Sequence, residues 1–242
     1  MTDATTTPQP PTTPSFAMIR TLGLASTISG LLIVLVFKWT LPYREENQRR
    51  STETAIFYVL PQAVTQLSFT LTTDGLKPTS PGLSGEVIYA TYDAKGTLLG
   101  LALPGAGQGY ADQIKVLYAY NPSCKCINKV KVLKMADTPG LGDRITTDPK
   151  FLENFNALDA NLNSNGTELA HPIVAVKHGT KTQPWQIDAI SGATISSRGM
   201  AKALNSSANR LLPQIHKQLA LLQTAGLETI NATTHSNNTT GK

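Results

Sequence analysis

Ser191-Gly192-Ala193-Thr194 sets a threonine hydroxyl directly after Gly and Ala, and the stretch Asp188-Ala189-Ile190 leads into it. Beyond the threonine, Met200, Ala203, Leu204, Ala208, Leu211 and Leu212 recur at three- and four-residue spacing, the period of a helix with one apolar face. The tetrapeptide therefore reads as the turn into a helix N-terminus. The first four N–H groups of a helix lack partners within it, and its N-terminus carries roughly half a positive charge, so a phosphate is well held there. Gly192 and Ala193 let the backbone come close to such a ligand. Ser196 or Ser197 can cap the helix or donate to phosphate oxygens, and Thr194 presents its hydroxyl at the mouth of the anion site. The other reading of the same residues is a Ser/Gly turn before a capped helix that binds nothing.

A second cluster lies upstream. Asp137-Thr138-Pro139-Gly140-Leu141-Gly142-Asp143-Arg144 joins a Pro to two Gly residues directly after a strand-like stretch, which makes a rigid turn that permits close backbone approach. Thr138, Gly140, Leu141 and Gly142 are its candidate ligand contacts. Cys124 and Cys126 are the whole thiol inventory. Two cysteines argue against a disulfide scaffold, an iron–sulfur cluster and a structural zinc site. Their C-x-C spacing is expected to mark ordinary turn or strand residues, with a redox pair as the alternative. No catalytic side chain and no metal-ligating set is assigned.

The elements that must position these residues can be traced along the chain. Residues 1–16 are rich in Thr and Pro and are expected to be a disordered tail. Residues 17–41 are apolar apart from Arg20, Lys38 and small hydroxyl residues, long enough to cross a hydrocarbon core of ~30 Å. Trp39 and Tyr43 stand where an interfacial aromatic belt would lie. A cleaved signal peptide is the rival reading, but no small-x-small site follows the apolar run before Trp39. Lys38, Arg44, Arg49 and Arg50 follow the run and only Arg20 flanks its start, so the positive-inside rule taken alone would put the remainder in the cytoplasm.

A domain over 42–226 is expected next. It should begin with a helix from Glu45 to Leu60, followed by a hairpin of Val87–Tyr92 and Thr97–Leu103 turning at Asp93-Ala94-Lys95-Gly96. Ile114–Tyr120 and Ile127–Met135 read as a second strand pair, with Lys129, Lys131 and Lys134 on a wet face against Val130, Val132 and Leu133. A short helix at Asp148–Phe155, strands at Ile173–Val176 and Ile187–Ile190, and a C-terminal helical region split by Pro213 complete it. Residues 227–242 are expected to be disordered. The fold class is α+β: a mostly antiparallel sheet with packed helices behind a single N-terminal transmembrane helix.

Composition narrows the function classes. The 242 residues are 40% hydrophobic with a net charge of +5, enough apolar content for a real core. The Lys and Arg residues are scattered and show no aromatic-interleaved basic stripe, which speaks against nucleic-acid binding.

Taken in order, Gly109-Tyr110 before the strand at Ile114, then Thr138-Pro139-Gly140-Leu141-Gly142-Asp143, then Ser191-Gly192-Ala193-Thr194 closely resemble the G subunit of Rnf electron-transport complexes. The likeness extends, more distantly, to the C subunit of the sodium-translocating NADH:quinone oxidoreductase. This resemblance implies FMN joined through its phosphate to Thr194, a single anchor in the inner membrane with the flavin domain on its outer (periplasmic) side, and attachment by a separate flavin transferase. It implies an electron-transfer subunit, not catalytic alone, of a complex that couples electron flow between ferredoxin and NAD to ion translocation. Ser191, Gly192, Ala193 and Ser196 would then surround the phosphate, and Thr138, Gly140, Leu141 and Gly142 would lie near the ring. The family usually has Glu where this chain has Asp137, and it has no use for a C-x-C pair. The competing expectations are an FMN-binding subunit of another membrane electron chain and a membrane-anchored interaction protein without redox function.

Overall fold

The computed structural model describes residues 15–73 and 75–228. The expected disordered tails fall outside this set except at residues 15, 16, 227 and 228, which are helical. The chain divides into two compact units between Arg50 and Ser51.

Helix α1 (Ser15–Val59) runs through both units and contains Pro42, where a break between the anchor and a second helix starting at Glu45 was expected. A proline removes one hydrogen bond and crowds the preceding turn, at about 3 kcal/mol; the helix-favouring residues on either side outweigh that here. In the first unit the helix is long and apolar enough to cross a membrane. Its Leu, Ile and Val side chains between residues 31 and 36 are exposed. Its hydroxyls are turned onto their own backbone: Thr21 Oγ1 donates to the Ala17 carbonyl at 3.0 Å and Thr27 Oγ1 to that of Gly23 at 2.8 Å. This satisfies them where no water is present.

In the second unit seven antiparallel strands form one sheet in the order β2-β1-β3-β4-β5-β6-β7. They are β1 (Thr65–Thr72), β2 (Gly75–Pro78), β3 (Glu86–Tyr92), β4 (Leu98–Gln108), β5 (Gln113–Asn121), β6 (Cys126–Lys134) and β7 (Leu158–Asp159). The β3–β4 and β5–β6 hairpins lie where alternation and turn residues placed them. At the first turn Asp93 accepts from the N–H groups of Lys95 and Thr97, both at 2.8 Å. A separate parallel pair, β8 (Val174–Val176) with β9 (Gln186–Asp188), lies in the chain that leads to the threonine motif. The short helix α2 (Pro149–Leu152) continues as a 3-10 turn to Phe155. The α+β architecture read from the sequence is therefore the one observed.

Both faces of the sheet are covered. Helix α3 (Thr194–Lys217) buries Met200, Ala203, Leu204, Ala208, Leu211 and Leu212, each at most 1% exposed, against the main core. On the other face Ala55, Ile56 and Val59 from the end of α1 close over Ala102, Leu117 and Ala119. Helix α3 passes through Pro213 without ending, which corrects the expected split. The turn falls instead at Gln218, and a further helical stretch covers 219–228. Packing of Leu211, Leu212 and Ile215, all buried, holds the proline turn in line. Gln218 Oε1 accepts from the Leu76 N–H at 2.7 Å, and Tyr92 donates its hydroxyl to the Leu222 carbonyl at 2.7 Å. These two bonds fasten the end of the helical region to the sheet.

Candidate functional site

Three chain segments far apart in sequence meet at the N-terminus of α3. The first is the turn at Gly109, Tyr110 and Ala111 between β4 and β5. The second is the loop after β6, where Leu141 and Gly142 both donate backbone N–H to the Thr138 carbonyl, at 3.2 and 3.0 Å. The third is the first turn of α3, with Thr194 as its first helical residue and Ala193 at the N-cap without a side-chain hydrogen bond. Together they line a cleft of about 360 Å³ whose walls include Tyr110, Thr138, Leu141, Gly142, Thr194 and Ser196.

Asp137 ties the segments together. It is 7% exposed. One carboxylate oxygen accepts from the N–H groups of Tyr110 and Ala111 at 3.0 and 3.1 Å; the other accepts the Ser196 hydroxyl at 2.5 Å. Gly142 packs so tightly against it that a Cβ there would lie 2.5 Å from Asp137 Cβ and 2.9 Å from Ser196 Oγ. Sequence reasoning saw Asp137 only as a shortened Glu. Its partners lie 26, 27 and 59 positions away, beyond the reach of local pattern. Asp137→Ala is expected to remove the acceptor of three donors and cost about 1–3 kcal/mol, the penalty for the buried Ser196 hydroxyl left unsatisfied, since the exposed Tyr110 and Ala111 can turn their N–H groups to water. Asp137→Asn keeps an acceptor for the two N–H groups while its amide faces the Ser196 oxygen, so most of the stability should return. Urea titrations of the two variants check this, and equal losses would contradict it.

The candidate residues fall into two groups. Gly192, Ala193, Thr194, Ser196, Thr138, Leu141 and Gly142 all line the cleft. Ser191 instead faces a neighbouring cleft of about 720 Å³ walled by Arg144, Asp148, Lys150 and His178, and Gly140 lines neither. Gly140 holds φ +78° and Gly192 φ +86°, left-handed values that favour glycine. They shape the two loops so that a Cβ on Gly192 would be 4.0 Å from Leu141 Cδ2. Ser197 serves the backbone: its hydroxyl donates to the Ala193 carbonyl at 2.9 Å and accepts from the Ile190 N–H at 3.2 Å. Of the two serines considered for a phosphate, Ser197 is therefore occupied, and Ser196 is held by Asp137.

The approach to the motif is braced by residues that periodicity did not reveal. Asn154 pairs with both backbone groups of Asp188, donating Nδ2–H to its carbonyl at 3.3 Å and accepting its N–H at 2.9 Å. Asn205 and Asn209 accept the N–H groups of Ile173 and Leu169, each at 2.9 Å, pinning the long loop onto α3. Beside the cleft, Asp148 caps α2 by accepting the Phe151 N–H at 3.3 Å and receives Arg144 Nη2 at 3.1 Å. The Phe151 N–H first, and Arg144 with it, hold this carboxyl below the usual carboxylate range. A depressed folded-state pKa adds stability that is fully present above the ordinary value near ~4 and is lost as pH falls through the folded value. Asp148→Asn should therefore flatten the acid limb of a plot of Tm against pH between about 5 and 3; an unchanged limb would count against the cap.

The cleft fits a flavin mononucleotide. The first N–H groups of α3 and the Thr194 hydroxyl supply donors for a phosphate. Tyr110, Leu141 and Ile195, 67%, 52% and 50% exposed, offer apolar surface to a planar ring. The one carboxylate in the wall, Asp137, is turned to its own three donors.

Residues 109–209 match the family described as FMN-binding domain. The chain is 28% identical over 200 residues to the G subunit of an ion-translocating oxidoreductase complex from Methanosarcina acetivorans, a match covering 81% of this chain and 94% of that one. The resemblance to Rnf G subunits thus extends over most of the length. In fold, the chain is similar to the crystal structure of Shewanella oneidensis NqrC, at a TM-score of 0.51 and 22% identity over 75% of this chain and 98% of that one. It is similar also to the C subunit of the Na(+)-translocating NADH-quinone reductase from Parabacteroides distasonis, at a TM-score of 0.53 and 17% identity over 71% and 94% of the two chains. The matched segment begins at Gly109 and takes in both loops of the cleft and most of α3.

Proposed function

We propose that this protein is the electron-carrying G-type subunit of a membrane-bound Rnf-type complex, with FMN joined through its phosphate to the Thr194 hydroxyl. In this reading residues 17–41 anchor the chain in the cytoplasmic membrane and 42–226 form the flavin domain on its outer side. The complex couples electron flow between ferredoxin and NAD to ion translocation. One observation carries the reading: Thr194 is exposed, is the first residue of α3, and shares a cleft with the Gly140–Gly142 loop.

When bound, the flavin supplies the electron chemistry, while the protein supplies position and electrostatics. The helix N-terminus offsets the phosphate charge. Asp137 sets the distance between the Tyr110 turn and α3, and Leu141 and Tyr110 shelter the ring without enclosing it, which leaves an edge for partner subunits. Thr194 is the tether and performs no turnover; the attachment chemistry belongs to a flavin transferase. That enzyme acting on the outer side is the argument for the outward orientation, against the count of Lys and Arg. Orientation by charge is a bias that assembly partners override.

The test is the intact mass of the denatured chain after production with and without an active flavin transferase. A gain of one FMN less one water, seen only with the transferase, supports covalent flavin. An unmodified chain beside a second substrate that is modified in the same cells would leave the redox reading without its main support and favour an interaction protein.

A further inference from the structure

Cys124 and Cys126 take no part in the cleft. They are joined by a disulfide, with Cα atoms 5.2 Å apart, at the turn between β5 and β6, so they are not the ordinary turn residues that the C-x-C spacing suggested. The cleft loops leave these strands at their other ends, and nine residues at ~3.3 Å each set the disulfide roughly 25–30 Å from them along the strands.

Three features set this bond apart from a stabilising cross-link. It spans a single intervening residue, so it removes little freedom from the unfolded chain, since disulfide stabilisation grows with the loop closed. The ladder already joins the strands as far as Asn121 paired with Cys126. Next, Lys125 holds φ +51°, the one positive value at a non-glycine residue among those described. Gly is the usual occupant of a left-handed backbone; a Lys accepts the unfavourable backbone and adds an ammonium group between the two sulfurs in sequence. Finally, the two sulfurs differ. Cys124 is exposed and Cys126 is 6% exposed, and Asn128 Oδ1 lies 2.8 Å from Cys126 Sγ and 3.8 Å from Cys124 Sγ. Disulfide sulfurs carry no proton to donate to that oxygen, so the favourable orientation is the flipped amide, with its N–H toward Cys126. An amide donor and a neighbouring cation both stabilise a thiolate.

We propose that Cys124–Cys126 is a thiol–disulfide exchange site that takes two electrons from an external dithiol. A thiolate of the dithiol attacks the exposed Cys124 Sγ. The Cys124–Cys126 bond breaks, and Cys126 leaves as a thiolate stabilised by Asn128 and Lys125, then takes a proton from water. The second thiol of the reductant attacks the mixed disulfide, closes its own disulfide and releases Cys124, which is protonated in turn. The protein disulfide is reduced to two thiols, and the dithiol is oxidised to its disulfide with release of its two protons. A groove of about 430 Å³ lined by Tyr120, Lys125, Leu162, Asn163 and His216 adjoins the site and gives a thiol-bearing segment a seat. The reaction does not depend on flavin.

The full-length protein in detergent, oxidised in air, is mixed with dithiothreitol under native conditions, quenched in acid over time and alkylated with N-ethylmaleimide for intact-mass analysis. Two alkyl groups should be gained while the protein remains folded. Lys125→Gln and Asn128→Ala should each slow the reaction about threefold, the effect of raising the leaving thiol by roughly one pKa unit at a Brønsted slope near 0.5. Cys126→Ser with oxidised glutathione should hold a stable mixed disulfide on Cys124. A bond that opens only after denaturation, two free thiols in the air-oxidised protein, or unchanged rates in both variants would each overturn the proposal.

Discussion

Thr194→Ala, produced beside an active flavin transferase, is expected to yield a folded chain whose denatured mass shows no flavin, where the parent gains one FMN less one water. The loss should be complete, because a phosphoester needs a hydroxyl and alanine has none. Thr194→Ser should retain part of the modification, since its hydroxyl is primary and its χ1 less restricted than that of a β-branched residue. The fold should tolerate both: Thr194 is exposed, no hydrogen bond of its side chain is needed to start α3, and alanine is the better helix former. Covalent flavin on the alanine variant would sink the assignment of Thr194. A serine variant as empty as the alanine one would mean that the transferase reads the methyl group as well.

Gly107→Ala is expected to be a strongly damaging small substitution in the second unit. A Cβ at that position would lie 2.2 Å from the Gly199 carbonyl oxygen and 2.8 Å from the Ala203 backbone nitrogen. From the other side, a Cβ on Gly199 would lie 2.6 Å from the Gln108 carbonyl oxygen. These are backbone atoms, so no side chain can rotate away, and α3 would have to rise from β4 over the residues it packs most tightly. Overpacking of this kind costs about 1–3 kcal/mol or more. At ~2–4 °C per kcal/mol for a domain of this size, the Tm should fall by roughly 2–12 °C. Gly140→Ala provides the comparison: its Cβ meets nothing within 4 Å, so only the left-handed backbone cost of about 1–2 kcal/mol remains. Thermal melts of the detergent-solubilised chain would decide, and a Gly107→Ala melt at or above that of Gly140→Ala would contradict the close crossing.

Much of this was legible from local pattern. The apolar spacing after Thr194 named six residues that form the buried face of α3, and Asp93 through Gly96 announced the turn between β3 and β4. Other parts were readable but overlooked: Leu67, Phe69 and Leu71 alternate along β1, yet the intervening Thr, Ser and Gln residues masked a strand whose Thr70 is fully buried. The interior proline Pro213 was given too much weight, because tertiary packing offsets a local penalty that the sequence alone states in full. The cleft was half visible. Its loops carry glycines in recognisable order, but the Asp137 clamp and the Gly107–Gly199 crossing join positions far apart in the chain, and no spacing rule reports on such pairs.

The end of α1 has a bearing on how the protein can be shed from a membrane. Ala55, Ile56 and Val59 are nearly solvent-free because they roof Ala102, Leu117 and Ala119. A protease that cut just after Leu60 would therefore carry off part of the core and leave the exposed sheet face sticky toward other molecules. Cleavage ahead of Ser51 would leave that roof in place, so the helix itself dictates where an intact water-soluble fragment has to begin.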